Sequence, residues 1–81
     1  MELQQINKEI ENKVNTFNID RIVLSYCFKI YSIDFYVFIS DNDNCFNYSI
    51  LQITYKNKEN AIKMFNLIKN KYPKLNYKVF I

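Results

Sequence analysis

Glycine, histidine and tryptophan are absent from the 81-residue chain, and proline occurs once. Each gap removes a class of function. Without glycine there is no phosphate-cradling loop and no dinucleotide fingerprint, because both need backbone positions that a side chain would block. Without histidine the commonest general base is missing, and with it every histidine-dependent triad. The two cysteines, Cys27 and Cys45, belong to no C-x-x-C spacing and cannot make up a four-ligand zinc site. They are expected to be buried free thiols, and no metal or cofactor is expected. No apolar run approaches the roughly 18 residues that a membrane-spanning helix requires. The opening segment MELQQINKEI has neither a basic leader nor an apolar core. A cytoplasmic location is therefore expected, in the host cytoplasm if the chain is viral.

What is present is apolar and unevenly charged. Apolar residues make up 49 % of the chain, too many for a disordered segment. The length suits a single domain spanning residues 1–81, with a thin core. Residues 1–55 hold four basic side chains against seven acidic ones, whereas residues 56–81 hold seven lysines against Glu59 alone. Such asymmetry marks either an anionic partner or a solvated surface.

Leu3, Ile6, Ile10, Val14 and Phe17 recur at spacings of three and four, which predicts a helix over 2–17 with one apolar stripe. From Arg21 the period becomes two, predicting strands over 21–31, 33–40 and 45–55. Ala61, Ile62, Met64, Phe65, Ile68 and Tyr72 form a broad apolar sector on a helix over 58–71, opened by Asn57 as N-cap and closed by Pro73. Alternation over 75–81 predicts a last strand. The expected fold class is α+β, a two-layer sandwich in the order α-β-β-β-α-β. An antiparallel three-stranded meander and a C-terminal strand form the sheet, with both helices on one face.

Registers sharpen this expectation. With Asp41–Asn44 as a hairpin loop, Ser40 faces Cys45, Ile39 faces Phe46, Val37 faces Tyr48 and Phe35 faces Ile50. With Ser32-Ile33 as the first turn, Phe28 faces Val37 and Tyr26 faces Ile39. Cross-strand neighbours share a face, so Leu24, Tyr26, Phe28, Ile30, Phe35, Val37, Ile39, Phe46, Tyr48 and Ile50 should point at the helices. The opposite face then carries Val23, Cys27, Tyr31, Tyr36, Phe38, Leu51, Ile53 and Tyr55 between polar residues. The phase of the third strand changes along its length, since Leu51, Ile53 and Tyr55 lie opposite to Phe46, Tyr48 and Ile50.

Two motifs are read as turn and surface chemistry. Asp41-Asn42-Asp43 matches the start of a calcium-binding loop, but Cys45, Phe46 and Gln52 stand where that loop needs an oxygen ligand, a glycine and a bidentate glutamate. The segment is read as a hairpin turn, for which Asp and Asn are suited. The acidic side chains are dispersed, with no pair across a cleft, so no catalytic residue is assigned and the chain is expected not to be an enzyme.

The α-β-β-β-α order resembles the double-stranded-RNA-binding fold, a likeness of topology alone. That family carries a Lys-Lys motif with a nearby glycine at its second helix, where this chain reads Lys58-Glu59-Asn60-Ala61. The short, glycine-free, asparagine- and lysine-rich chain also resembles accessory proteins of phages and other mobile elements. Some small phage inhibitors of bacterial defence systems share a helix–three-strand–helix plan. The expected function is a protein-binding module, an inhibitor or accessory protein of a phage or mobile element acting on a host protein. Tyr31, Tyr36, Phe38, Leu51, Ile53 and Tyr55 are the expected partner-binding residues, for another protein or for a second copy in a homodimer. The alternatives are a nucleic-acid-binding protein using Lys56, Lys58, Lys63, Lys69 and Lys71, or a structural homodimer without catalytic activity. No membrane partner is expected.

Overall fold

The computed structural model describes residues 3–41 and 44–81. Its order is α-β-β-β-α-β, as the periodicities predict: α1 (Leu3–Thr16), β1 (Ile19–Cys27), β2 (Ile30–Asp41), β3 (Asn44–Tyr55), α2 (Lys58–Lys71) and β4 (Tyr77–Phe80). The four strands form one mixed sheet in the order β3-β2-β1-β4. β1, β2 and β3 are an antiparallel meander, and β4 lies parallel to β1 with Ile22 beside Tyr77 and Leu24 beside Val79. No helix among the described residues is long and apolar enough to cross a membrane.

The helices begin and end for local reasons. Asn57 caps α2, its side-chain oxygen accepting from the amides of Glu59 (2.8 Å) and Asn60 (3.3 Å). Those are two of the donors that the first turn of a helix leaves without intrahelical partners. Tyr72 closes the helix with its amide on the Ile68 carbonyl, and Pro73 follows, unable to extend the ladder. α1 buries Ile6 and Ile10, and α2 buries Ala61, Met64, Phe65 and Ile68. Both sets pack on Ile22, Leu24, Ile33, Phe35 and Ile53 of the sheet, so the helices share one face. Tyr77 fastens β4 beneath α2. Its ring meets Phe65 edge-on, and its hydroxyl lies 2.6 Å from the Tyr72 carbonyl and 3.2 Å from that of Ile68. Burial raises the Tyr77 phenol above its ordinary pKa, with Tyr72 adding a smaller push in the same direction.

Three expectations are corrected. The first turn is not at Ser32-Ile33 but at Phe28-Lys29, between the paired residues Cys27 and Ile30. Both turn residues have positive φ, 51° and 65°. Two-residue hairpins favour positive φ, because that twist matches the flanking strands. This chain has no glycine to supply it, so a phenylalanine and a lysine take the strain. Phe28 thus sits at the turn apex, 93 % exposed, and Ile30 lies on the face away from the helices. The new register brings Leu24 opposite Ile33 and Ile22 opposite Phe35, the best-buried pairs in the protein.

The second correction lies in β3. Phe35 pairs with Leu51 but the next residue, Tyr36, pairs with Ser49, which leaves Ile50 as an extra residue in a β-bulge. The bulge swings Leu51, Ile53 and Tyr55 onto the same face as Phe46 and Tyr48, so the change of phase in the sequence is absorbed in one step. Leu51, Ile53 and Tyr55 therefore line the helix-covered face instead of the opposite one, and Tyr31 joins them because the turn at Phe28-Lys29 places it on β2 in phase with Ile33 and Phe35. The predicted pairs Ile39–Phe46 and Val37–Tyr48 hold as stated. Strand pairing continues to Asp41 and Asn44, and Asn42 and Asp43 lie outside the described residues. Third, Cys27 and Cys45 are exposed, since both fall near strand ends that no helix covers.

Two outcomes follow from this geometry. Replacing Phe28 by Asn together with Lys29 by Gly should raise unfolding stability by about 1–2 kcal/mol in urea titration, by relieving the left-handed strain. A free tyrosine ionises near pH 10, and the folded protein holds Tyr77 neutral beyond that point. Its contribution is thus complete below about pH 10 and lost as pH rises through the higher folded value. The melting temperature should fall above about pH 10, and Tyr77→Phe should flatten that fall.

Candidate protein-interaction surface

β2 and β3 each have twelve residues, whereas β1 pairs with β2 only as far as Val37. Beyond that point, residues 38–41 and 44–47 form a two-stranded arm. Its helix-side face continues the apolar row of the core past the end of α1. On β2 exposure rises from Val37 (7 %) to Ile39 (38 %), and their partners on β3, Tyr48 (56 %) and Phe46 (47 %), are both exposed. Phe17, which follows α1, lies beside Val37, Tyr48 and Ile50 at the root of the arm and is itself exposed. Phe38 projects from the opposite face of the arm.

The face away from the helices is built differently. Its centre is Asp34, 6 % exposed although no helix covers it. Ser32 donates to one carboxylate oxygen (2.8 Å), and Gln52 (2.9 Å) and Ser49 (3.2 Å) donate to the other. Beside this cluster the Arg21 guanidinium lies 5.2 Å from the centre of the Tyr36 ring, and its Nε is buried with no hydrogen-bond partner among the described residues. The centre of this face is therefore occupied by its own polar network, and Tyr36 is partly covered by Arg21.

The six residues expected to bind a partner do not come together. Tyr36 and Phe38 are on the open face, with Phe38 exposed and Tyr36 half-buried. The others are on the helix side, Ile53 within the core and Tyr31, Leu51 and Tyr55 partly buried against it. Leu51, Ile53 and Tyr55 also line a groove that Ile6 and Glu9 of α1 flank. Burial raises the Tyr55 phenol above its ordinary pKa. Conversely, Ile39, Phe46 and Tyr48 read as core residues in the sequence but are exposed. The signal that would have placed them was length: a fourteen-residue helix is too short to roof a twelve-residue strand.

Lys56, Lys58, Lys63, Lys69 and Lys71 are all exposed. Their helical positions spread them round α2. Lys63 points away from the sheet, Lys69 leans over Tyr77 (6.0 Å) and Lys71 over Tyr72 (5.6 Å). A phosphate-tracking surface needs its cations convergent, and these diverge.

Replacing Asp34 by Ala should cost about 1–3 kcal/mol in urea unfolding, because Ser32, Ser49 and Gln52 lose their common acceptor. Phe38→Ala, at an exposed position on the same face, should change stability by less than about 0.5 kcal/mol.

No protein-family model, curated protein or solved structure matches the chain.

Proposed function

We propose that the chain is a small protein-binding module, an inhibitor or accessory protein that acts by covering a surface of a host protein and performs no chemistry of its own. One observation carries this reading. The apolar row of β2 and β3 runs off the end of the helix layer, leaving Ile39, Phe46 and Tyr48 exposed next to Phe17. Contiguous exposed apolar side chains beyond the scattered background mark interaction sites, and aromatic anchors carry much of the binding energy where they become desolvated. The same residues are poor candidates for stabilising the isolated protomer, because their exposed parts gain little from folding alone.

The arm also differs from the expected interface around Tyr36. There a guanidinium and a carboxylate network already occupy the surface, whereas the helix side of the arm presents mainly hydrocarbon. The resemblance to small accessory proteins of mobile elements agrees with this use, since such a protein needs a surface and no reaction centre. The divergence of the lysines speaks for a solvated helix face over a nucleic-acid track.

A host protein captured by the tagged chain should be lost when Phe46 and Tyr48 are both replaced by Asp, with the melting temperature little changed. Two anchor residues of this kind should account for about 2 kcal/mol or more of binding. Replacing Lys63, Lys69 and Lys71 by Gln should leave capture intact. A lysine-dependent gel shift persisting at about 150 mM salt and untouched by the Asp changes would overturn the proposal in favour of nucleic-acid binding.

A further inference from the structure

β3 is an edge strand, and its outer side has no partner strand among the described residues. Proteins ordinarily blunt such edges with lysine, proline, inward charges or very short strands. β3 uses only one such device, the bulge at Ile50. Its sequence NCFNYSILQITY contains neither a charged residue nor a proline over twelve positions. The opposite edge, β4, is four residues long and carries Lys78, so it is protected in the usual way. Beyond Val37 the sheet is reduced to the two strands of the arm, and a two-stranded ribbon alone is marginal in water.

We infer that a second copy of this chain covers the edge of β3, with the segments Cys45–Ser49 of the two copies pairing antiparallel about a two-fold axis. Three features select this occupant. The edge is uncharged, so two copies with the same net positive charge meet there without facing like charges. The arm of each copy lacks a third strand, and each supplies it to the other. β3 is the long uncharged edge, and its pairing with its own copy closes on itself, whereas β3 joining β4 or the free side of residues 38–41 would propagate into a filament. The bulge fixes the extent. Ile50 breaks the regular ladder, and the uncovered arm lies on its Asn44–Ser49 side, so the added strand pairs there.

Register follows from the pleat. Residues opposite each other must share a face, so the axis passes through a residue and not between two. Centring it on Asn47 sets Phe46 opposite the second copy's Tyr48 and Cys45 opposite the second copy's Ser49. All four aromatics then lie on one side, and the two arms become a four-stranded sheet with one continuous apolar face. This inference goes beyond the proposed function, because edge pairing leaves the faces of the arm open to a target.

Five residues of edge make a small contact, so the dimer should dissociate on dilution in the micromolar range. Light scattering of the whole chain should show a mass rising from monomer to dimer, and no further, up to about 200 μM. Asn47→Lys places like charges opposite each other at the axis and should raise the dissociation constant at least about fivefold without lowering the melting temperature. Opposed Cα atoms in an antiparallel pair stand about 4.5–5.5 Å apart, within disulfide reach. In a background of Cys27→Ser and Cys45→Ser, Asn47→Cys should therefore cross-link to dimer under mild oxidation, and Thr54→Cys should not. A monomer at about 200 μM, a dimer indifferent to Asn47→Lys, or a mass growing past two copies would overturn the inference. If Asn47→Lys is monomeric yet still captures the host protein, the dimer and the target surface are separate.

Discussion

Fourteen residues of helix reach about 21 Å, and twelve residues of strand reach about 40 Å. That mismatch governs the molecule. Both helices have fourteen residues and both long strands have twelve, and the longest dimension of the protein is 41 Å. The helix layer can roof only part of the sheet. Under the roof lie Ile22, Leu24, Ile33 and Phe35, all nearly inaccessible to water. Past it the same alternation continues from Val37 through Ile39, Phe46 and Tyr48, with only Phe17 at the root and no helix above. The arm is therefore an extension of the core into solvent, and its apolar character comes from strand periodicity that outlasts its cover.

Two irregularities make the roofed part possible. The bulge at Ile50 turns Leu51, Ile53 and Tyr55 inward, so β3 contributes apolar side chains to the helix side along nearly its whole length. A second shift between Ile19 and Arg21 does the same for the start of β1, keeping Ile19 with the core while Arg21 turns out over Tyr36. Without the bulge, half of β3 would face the wrong way, since a one-residue slip exchanges the faces of a strand. The open face can then be polar at its centre, and Asp34 with its three donors is stable there because every contact is charge-assisted.

The elements were legible in the sequence because each carries a strong period: the stripe of α1, the sector of α2 closed by Pro73, and the alternation of the strands. The far hairpin register was legible too, since Asp41–Asn44 is built from turn formers. The near turn was hidden. Nothing in Phe28-Lys29 announces positive φ in a chain without glycine, and the apolar Phe28 reads as strand. That one error reversed Ile30 and Tyr31, and the unseen bulge reversed Leu51, Ile53 and Tyr55. The candidate surface was misread for a further reason. Periodicity tells which way a side chain points but not whether anything lies above it, so Phe46 and Tyr48 passed for core. The phase change in β3 was visible as a sequence fact, and a bulge is the physical event that produces one.

On the proposed function, the uncovered arm is the surface that a partner covers. Amide hydrogen exchange, read segment by segment with and without a captured partner, addresses it directly, because strand burial by an interface slows opening where the contact lies. Residues 37–50 should exchange readily in the dilute protein and become protected in the complex, with α2 unchanged. Protection confined to α2 and its lysines, with residues 37–50 exchanging as before, would contradict the account.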